Sequence, residues 1–184
     1  QSDRPDDEIC LIFGRNAGRM ERVVGEALES AQATPARLAV YDAPLDVDSI
    51  TASMRENLDD ELTEVKSENA IDRITSQANP RTLERVPAGA RFHVRLVMDV
   101  LCDEDAPLFS RVVEGLRLLE DDALGGGGSR GSGRVRFAGL KLLWRPLAYY
   151  AGKGQEKQLA AGTDLGGLQA ALNESNYSFI RDSQ

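Results

Sequence analysis

The chain has 184 residues, 41% of them hydrophobic, which suits one compact domain and excludes a disordered tail. Lys and Arg number 22 against 30 Asp and Glu, and the net charge of -8 argues against a general nucleic-acid binder. No apolar run approaches the roughly 20 residues that span a bilayer, and the first residues lack a signal-peptide pattern, so we expect a cytoplasmic protein with no membrane partner. Cys10 and Cys102 form no pair motif, which predicts neither a disulfide nor a zinc site.

The first predicted elements are a strand and a helix. Residues 36–42, ARLAVYD, are short, apolar-rich and followed by Pro44, which favours a strand. A helix is predicted next, from a cap at Asp46 or Asp48 to about Asn57. Its apolar face would carry residues spaced four apart: Ile50, Met54 and Leu58.

The middle of the chain predicts a projection and a long strand. Leu62–Glu84 is polar, holds few aliphatic residues and is too long for an ordinary connection, so we expect a protruding hairpin or loop with a function. After a turn at residues 87–89, Ala90–Leu101 alternates apolar and polar residues, which predicts a strand with one buried face.

The last third predicts helix, strand, loop and helix. Asp105 and Pro107 open a helix that ends at an acidic cluster, Glu120, Asp121 and Asp122, expected on solvated surface. Arg134–Trp144 is predicted as a strand with three core candidates: Val135, Phe137 and Leu143. Residues 151–163 are rich in Gly, Lys and Gln and are predicted to be mobile, and Asp164–Leu172 is predicted as a short helix. This order of elements suggests an α+β domain of the ferredoxin-like (RRM-like) kind.

Positive charge is concentrated beside a glycine-rich stretch. From Leu124 to Arg145 there is no acidic residue, and the basic residues are Arg130, Arg134, Arg136, Lys141 and Arg145. Within this region residues 125–133 read GGGGSRGSG. Glycine lets backbone N–H groups approach a phosphate closely, and Arg adds paired donors and charge. The stretch therefore predicts a phosphate-binding loop.

Other interpretations of the loop remain open. Gly126, Gly128 and Gly131 satisfy the dinucleotide fingerprint G-x-G-x-x-G, but the loop follows a predicted helix and precedes a strand, the reverse of that motif's order. A nucleotide-hydrolysing P-loop would also need a Lys followed by Ser or Thr, which is missing. An engineered Gly-Ser linker and a plain structural turn are the remaining alternatives.

Two long segments carry a resemblance to a known family. Leu118–Phe137, LLEDDALGGGGSRGSGRVRF, resembles the glycine-rich signature of RAMP-superfamily proteins, in the form typical of the third Csm subunit, a backbone subunit of type III-A CRISPR effectors. Lys66–Phe92 resembles the thumb hairpin and following strand of that subunit, and Cys10–Gly14, CLIFG, resembles the segment before its thumb-bearing half.

The resemblance implies one ferredoxin-like palm over residues 1–184, with a thumb at about residues 63–84 and the glycine loop at residues 125–133. The implied partners are CRISPR guide RNA, target RNA, further copies of the chain and other Csm-type subunits, in a ribonucleoprotein that cuts RNA in antiviral defence. Candidate RNA contacts in the loop are Gly125, Gly126, Gly127, Gly128, Ser129, Arg130, Gly131, Ser132, Gly133 and Arg134. Those in the thumb are Lys66, Arg73, Asn79 and Arg81, with Ile71, Ile74 and Leu83 as candidate wedges against bases.

Part of the family pattern has no counterpart in this sequence. Family members begin with a strand, a glycine-rich turn, a guide-binding helix and the aspartate implicated in cleavage, and no residue here matches that aspartate. We therefore assign no catalytic site and no metal ligand, although the family's cleavage implies Mg²⁺. The missing region is expected in unobserved residues, a separate chain or a split protein. Two other functions stay open: a guide-processing ribonuclease using His93 as general acid or base, and a structural subunit that contacts only proteins.

Overall fold

The computed structural model describes residues 7–14, 34–162 and 164–175. The helices are α1 Glu8–Phe13, α2 Ala52–Arg55, α3 Leu108–Asp121, α4 Leu147–Tyr150 and α5 Leu165–Ser175. The strands are β1 Leu38–Val40, β2 Leu45–Asp46, β3 Glu64–Ile71, β4 Ala78–Arg85, β5 Arg91–Phe92, β6 Leu96–Met98, β7 Leu140–Trp144 and β8 Lys157–Gly162. Within the described residues the strands pair two by two, β1 with β6, β2 with β5, β3 with β4 and β7 with β8. None of the described helices has the length and apolar character that a bilayer crossing requires.

The described residues divide into two compact units, one made of those up to Ala39 together with those from Val97 onward, and the other of residues 40–96. The first unit, called here the body, holds the hydrophobic core. Its buried residues come from α3, β8 and α5: Val113, Ala160, Leu165, Leu168 and Leu172. Side chains of α3, β7 and the segment before β7 pack around them, among them Phe109, Leu116, Phe137, Leu140 and Leu142. Each fully buried aliphatic side chain stabilises the fold by about 1.5–3 kcal/mol.

Helices α3 and α5 of the body confirm the predictions made for them. α3 begins after Pro107, whose fixed φ suits a helix start, and buries Leu108, Val112 and Val113. α5 buries its leucines at the predicted spacing and runs to Ser175, beyond the predicted end. One detail of α3 differs from the expectation of solvated acids. The Glu120 carboxylate is half-buried and accepts a hydrogen bond from the Phe137 backbone N–H at 2.6 Å.

A buried ion pair links the start of β1 to the turn before α3 within the body. Arg37 Nε lies 2.9 Å from Asp105 Oδ2, and the two side chains are 11% and 2% exposed. The same carboxylate accepts hydrogen bonds from the backbone N–H groups of Leu101 and Cys102. Burial alone raises the pKa of Asp105, but the hydrogen bonds from Arg37 and Leu101, with the charge of Arg37, bring its pKa below the ordinary value. Removing either partner would leave a buried, uncompensated charge.

The strand predicted over residues 90–101 is interrupted. Its first part, β5, pairs with β2, where Leu45 lies opposite Phe92, and its last part, β6, pairs with β1. The partner segment between β1 and β2 contains Pro44, which has no N–H to donate to a ladder. The prediction of one buried face is also wrong, because Phe92 and Val94 are exposed.

Three other predicted boundaries are wrong. The helix expected to run from Asp46 or Asp48 to Asn57 is divided into a 3-10 turn, Val47–Ser49, and α2, because Ile50 adopts an extended conformation and Thr51 caps α2. The strand expected over residues 134–144 begins at Leu140, and Leu143 is exposed rather than in the core. The segment of residues 151–163, expected to be mobile, contains β8, which pairs with β7 and packs on α5.

Candidate nucleic-acid interface

The glycine loop, residues 125–133, follows α3 and closes on itself in the body. The Leu124 N–H donates to the Gly133 carbonyl oxygen at 2.8 Å, which joins the two ends of the loop. Between them lies a single 3-10 turn, Gly128–Arg130, flanked by Gly127 and Gly131 in the left-handed region with φ of 76° and 82°. The segment that follows Gly133 is not helical, so the loop opens no helix and lacks the geometry of a dinucleotide-binding turn.

Only some of the glycines are required by the shape of the loop. Gly133 has φ of +79°, and a Cβ at this position would lie 2.2 Å from the Leu124 carbonyl oxygen, so no other residue fits. Gly126 is different, because its φ lies outside the left-handed region and a Cβ there would meet nothing within 4 Å. A structural turn explains Gly133 and does not explain Gly126.

The loop leaves hydrogen-bond donors available. The N–H groups of Arg130, Gly131 and Ser132 donate within the loop. No acceptor among the described residues pairs with the N–H groups of Gly126 and Ser129. The next basic residues, Arg134 and Arg136, are exposed, and neither forms an ion pair with a residue that the structure describes. Open backbone donors beside uncommitted guanidinium groups are the arrangement that a phosphate chain needs.

Residues 62–84, predicted as a protruding hairpin or loop, form a hairpin in the second unit, with eight antiparallel pairs between β3 and β4. Directly opposed residues share a face, and Lys66 lies opposite Leu83, Glu68 opposite Arg81 and Ala70 opposite Asn79. Three of the candidate contacts, Lys66, Asn79 and Arg81, therefore lie on one face. On that face Arg81 bonds Glu68 at 3.1 Å and Arg85 bonds Glu64.

The tip of the hairpin, residues 72–77, is held by one carboxylate. Asp72 Oδ1 accepts from the backbone N–H groups of Ile74 and Thr75, both at 2.8 Å. These bonds, that from Thr75 first, lower the pKa of Asp72. The turn presents Arg73 and Ile74 to solvent, and the Ile74 side chain is 94% exposed. Sequence analysis missed the role of Asp72, although an Asp side chain in a turn commonly accepts from the backbone N–H two residues on.

The other candidates from the sequence are His93, possible metal ligands and the two cysteines. His93 is exposed, and its backbone N–H donates to Pro44 at 2.9 Å. No hydrogen-bond or ion-pair partner of the His93 side chain appears among the described residues, which leaves it without the orienting group that a general base commonly has. In the described ranges no group of three or more His, Cys, Asp or Glu side chains could hold a metal ion. The described residues therefore form no such Mg²⁺ site by themselves, and neither Cys10 nor Cys102 is in a disulfide with a described residue.

Comparison with known proteins supplies the family. A model of the RAMP superfamily matches residues 1–136, which is most of the chain and includes the hairpin and the glycine loop. The chain belongs to the RAMP superfamily. The architecture of this RAMP chain is a mixture of helices and small antiparallel sheets.

Two relatives of this RAMP chain share one name. A protein of Methanocaldococcus jannaschii, CRISPR system Cms endoribonuclease Csm3, is 36% identical over 155 residues, covering 82% of this chain and 55% of its own length. A protein of the same name from Methanothermobacter thermautotrophicus is 46% identical over 99 residues, covering 54% of this chain and 40% of its own length. The RAMP chain thus spans about half the length of the curated relatives it matches.

A solved structure resembles the RAMP chain as well. It is the crystal structure of a Csm3–Csm4 subcomplex in the type III-A CRISPR-Cas interference complex. The similarity covers 92% of this chain and 67% of the other, with 26% sequence identity and a TM-score of 0.55.

Proposed function

We propose that this chain is a backbone subunit of a type III CRISPR ribonucleoprotein that binds guide RNA and target RNA and takes part in RNA-guided RNA cleavage in antiviral defence. Membership of the RAMP superfamily and similarity to Csm3 proteins support this function. The observation that supports it most directly concerns the glycine loop. Gly126 has open space where the fold needs no glycine, and its N–H has no acceptor among the described residues. The loop is followed directly by Arg134, which forms no ion pair with a described residue.

In this function the glycine loop holds the sugar-phosphate backbone. The N–H groups of Gly126 and Ser129 would donate to phosphate oxygens, and the guanidinium of Arg134 would add paired donors and charge. Base identity would be read by pairing between guide and target, while the chain recognises backbone shape. A chain with a net charge of -8 can bind RNA in this way, because only the surface at the glycine loop has to be positively charged.

The hairpin would act as the thumb on a ferredoxin-like palm. Its exposed Ile74 at the tip suits insertion between base pairs, and Lys66, Arg73, Asn79 and Arg81 suit contact with the flanking backbone. Further copies of the chain and other Csm subunits would complete the complex. We assign no cleavage residue to this chain, because the described residues hold neither the family's aspartate nor a metal-binding group.

The test is binding of a guide-length, fluorescein-labelled single-stranded RNA to the full chain, followed by fluorescence anisotropy across a salt series. We expect Arg134→Ala to weaken binding and to make the slope of log Kobs against log salt shallower by about 0.7. Gly126→Ala should weaken binding with an unchanged unfolding transition, since its Cβ meets only open space in the protein.

Gly115→Ala is the matched control. Gly115 lies on an exposed turn of α3 where a Cβ also meets nothing within 4 Å, so this change should leave RNA binding as it is. Binding by Arg134→Ala and Gly126→Ala that equals the unaltered chain would contradict the proposed role of the loop. Removal of the hairpin tip tests the thumb separately, and normal retention of guide RNA after that removal would contradict it.

A further inference from the structure

The connection between β7 and β8, residues 145–156, is an ordered turn in the body. It contains α4, and the N–H groups of Lys153 and Gly154 both donate to the Ala148 carbonyl oxygen at 2.9 Å. Gly152 has φ of +72°, and a Cβ on Gly154 would lie 2.8 Å from the Tyr149 backbone nitrogen. These backbone bonds and close contacts hold the side chains of the turn in defined positions.

Two tyrosines and an arginine form a stacked group on this turn. The Arg145 guanidinium lies 5.4 Å from the Tyr149 ring centroid, and the Tyr149 and Tyr150 rings meet edge to face at 5.3 Å. Arg145 also donates a hydrogen bond to the Glu156 carboxylate, and this bond is the largest cause of the raised pKa of Arg145. The arrangement anchors Tyr149 and leaves Tyr150 69% exposed. A tyrosine held by its neighbours yet open to solvent is ready to stack on a flat partner.

The charge along this part of the sequence indicates what that partner is. From Ala123 to Gln155 the sequence contains no acidic residue, and the basic residues are Arg130, Arg134, Arg136, Lys141, Arg145 and Lys153. Glu156, the next acid, is neutralised by Arg145. Lys141 and Lys153 are exposed, and neither forms an ion pair with a described residue. Basic side chains interleaved with an exposed aromatic ring are the pattern of a single-stranded nucleic-acid surface.

We propose that the turn between β7 and β8 binds single-stranded RNA, with one base stacked on the Tyr150 ring and an adjoining phosphate at Lys153. This inference rests on the proposed function, because it assigns a second RNA-contacting element to a chain proposed to hold RNA at its glycine loop. Stacking on tyrosine is tolerant of sequence, since every base has a π-face. The turn would therefore hold unpaired RNA of any sequence.

Anisotropy with a fluorescein-labelled oligouridylate, which has no base-paired structure, tests the inference on the full chain. Tyr150→Ala is expected to weaken binding about tenfold, and Tyr150→Phe to bind like the unaltered chain because the ring is kept. Leu147→Ala is the matched control, since Leu147 lies on the same helical turn and is 85% exposed. Lys153→Gln should weaken binding only at low salt.

The outcomes separate this inference from the proposed function. If Tyr150→Ala binds as tightly as the unaltered chain while Arg134→Ala binds less, the turn is not an RNA contact and the glycine loop still is. If Tyr150→Ala weakens binding and Arg134→Ala does not, the inference stands and the proposed role of the loop fails. If Tyr150→Ala and Leu147→Ala both reduce self-association in sedimentation and neither changes RNA affinity, the turn is a protein-docking face and the inference is overturned.

Discussion

The two long antiparallel hairpins of this chain are stabilised in different ways. The hairpin of β7 and β8 has one face against α3 and α5, where Leu140, Leu142 and Ala160 pack with buried side chains. The hairpin of β3 and β4 has no buried side chain on either strand and depends on its turn and on ion pairs between its strands. Burial contributes most of the stability of a fold, whereas exposed pairs contribute tenths of a kcal/mol, so the two hairpins should respond very differently to substitution.

The sharpest contrast is between the buried ion pair of the body and an exposed pair of the hairpin. Asp105→Ala should lower the free energy of unfolding by about 4 kcal/mol, because it leaves the Arg37 charge buried without a partner. Glu68→Ala breaks the exposed pair with Arg81 and should cost less than about 1 kcal/mol. Urea denaturation of both variants measures the difference. Equal losses would contradict the division between a core-supported body and a self-supported hairpin.

A second contrast is between leucines. Leu172 of α5 is 1% exposed in the core beneath β7 and β8, and Leu172→Ala should lower the free energy of unfolding by about 3 kcal/mol. Leu83 of β4 is exposed, and Leu83→Ala should change it by less than about 1 kcal/mol. The midpoint of thermal unfolding measures both effects. A larger shift for Leu83→Ala than for Leu172→Ala would contradict the absence of buried side chains in this hairpin.

Two glycines of the body can be compared in the same way. The glycine loop of the body is fixed by backbone conformation, so Gly133→Ala should cost about 2 kcal/mol and disturb the loop. Gly115→Ala, which adds the same atom on exposed α3, should be neutral or slightly stabilising. Unfolding curves that coincide for the two variants would mean that the loop is not closed by the Leu124–Gly133 hydrogen bond.

The smallest expected effect is local to the hairpin tip and depends on pH. The pKa of Asp72 is lowered in the folded chain from its ordinary 3.8 by hydrogen bonds from Thr75 and Ile74. A lowered pKa means that the tip is fully stabilised above the ordinary value and loses this stabilisation as pH falls through the lower, folded-state value. Hydrogen exchange of the Thr75 amide should therefore accelerate, relative to its intrinsic rate, on acidification. Asp72→Ala should remove this pH dependence, and an unchanged dependence would exclude the cap.

The sequence predicted what is determined locally. α3, α5 and the hairpin of β3 and β4 were predicted because helical spacing, Pro107 and a long polar segment are readable over short distances. The break after Phe92 was not, because it arises where the strand changes partner from β2 to β1. β8 was missed for a related reason: its residues, KQLAAG, have weak strand propensity and form a strand because β7 pairs with them.

In the candidate site, too, the features determined locally were predicted and those that depend on the folded structure were not. The glycine loop and its arginines were predicted from composition, and the resemblance to a family supplied their meaning. The sequence did not separate Gly133, which the backbone requires, from Gly126, which it does not, because that difference depends on distances to Leu124. The stacked group of Arg145, Tyr149 and Tyr150 was missed because it depends on the shape of the turn rather than on spacing.

The register of β3 and β4 also restricts how this region can change in length. Neighbouring residues along a strand point to opposite sides, so deleting one residue from each strand would move the tip and every charged side chain beyond the deletion to the other side. Deleting two from each strand keeps their direction and brings the tip about 7 Å closer to the hairpin's base. Variants of this hairpin that differ in length and keep their function should therefore differ by an even number of residues in each strand.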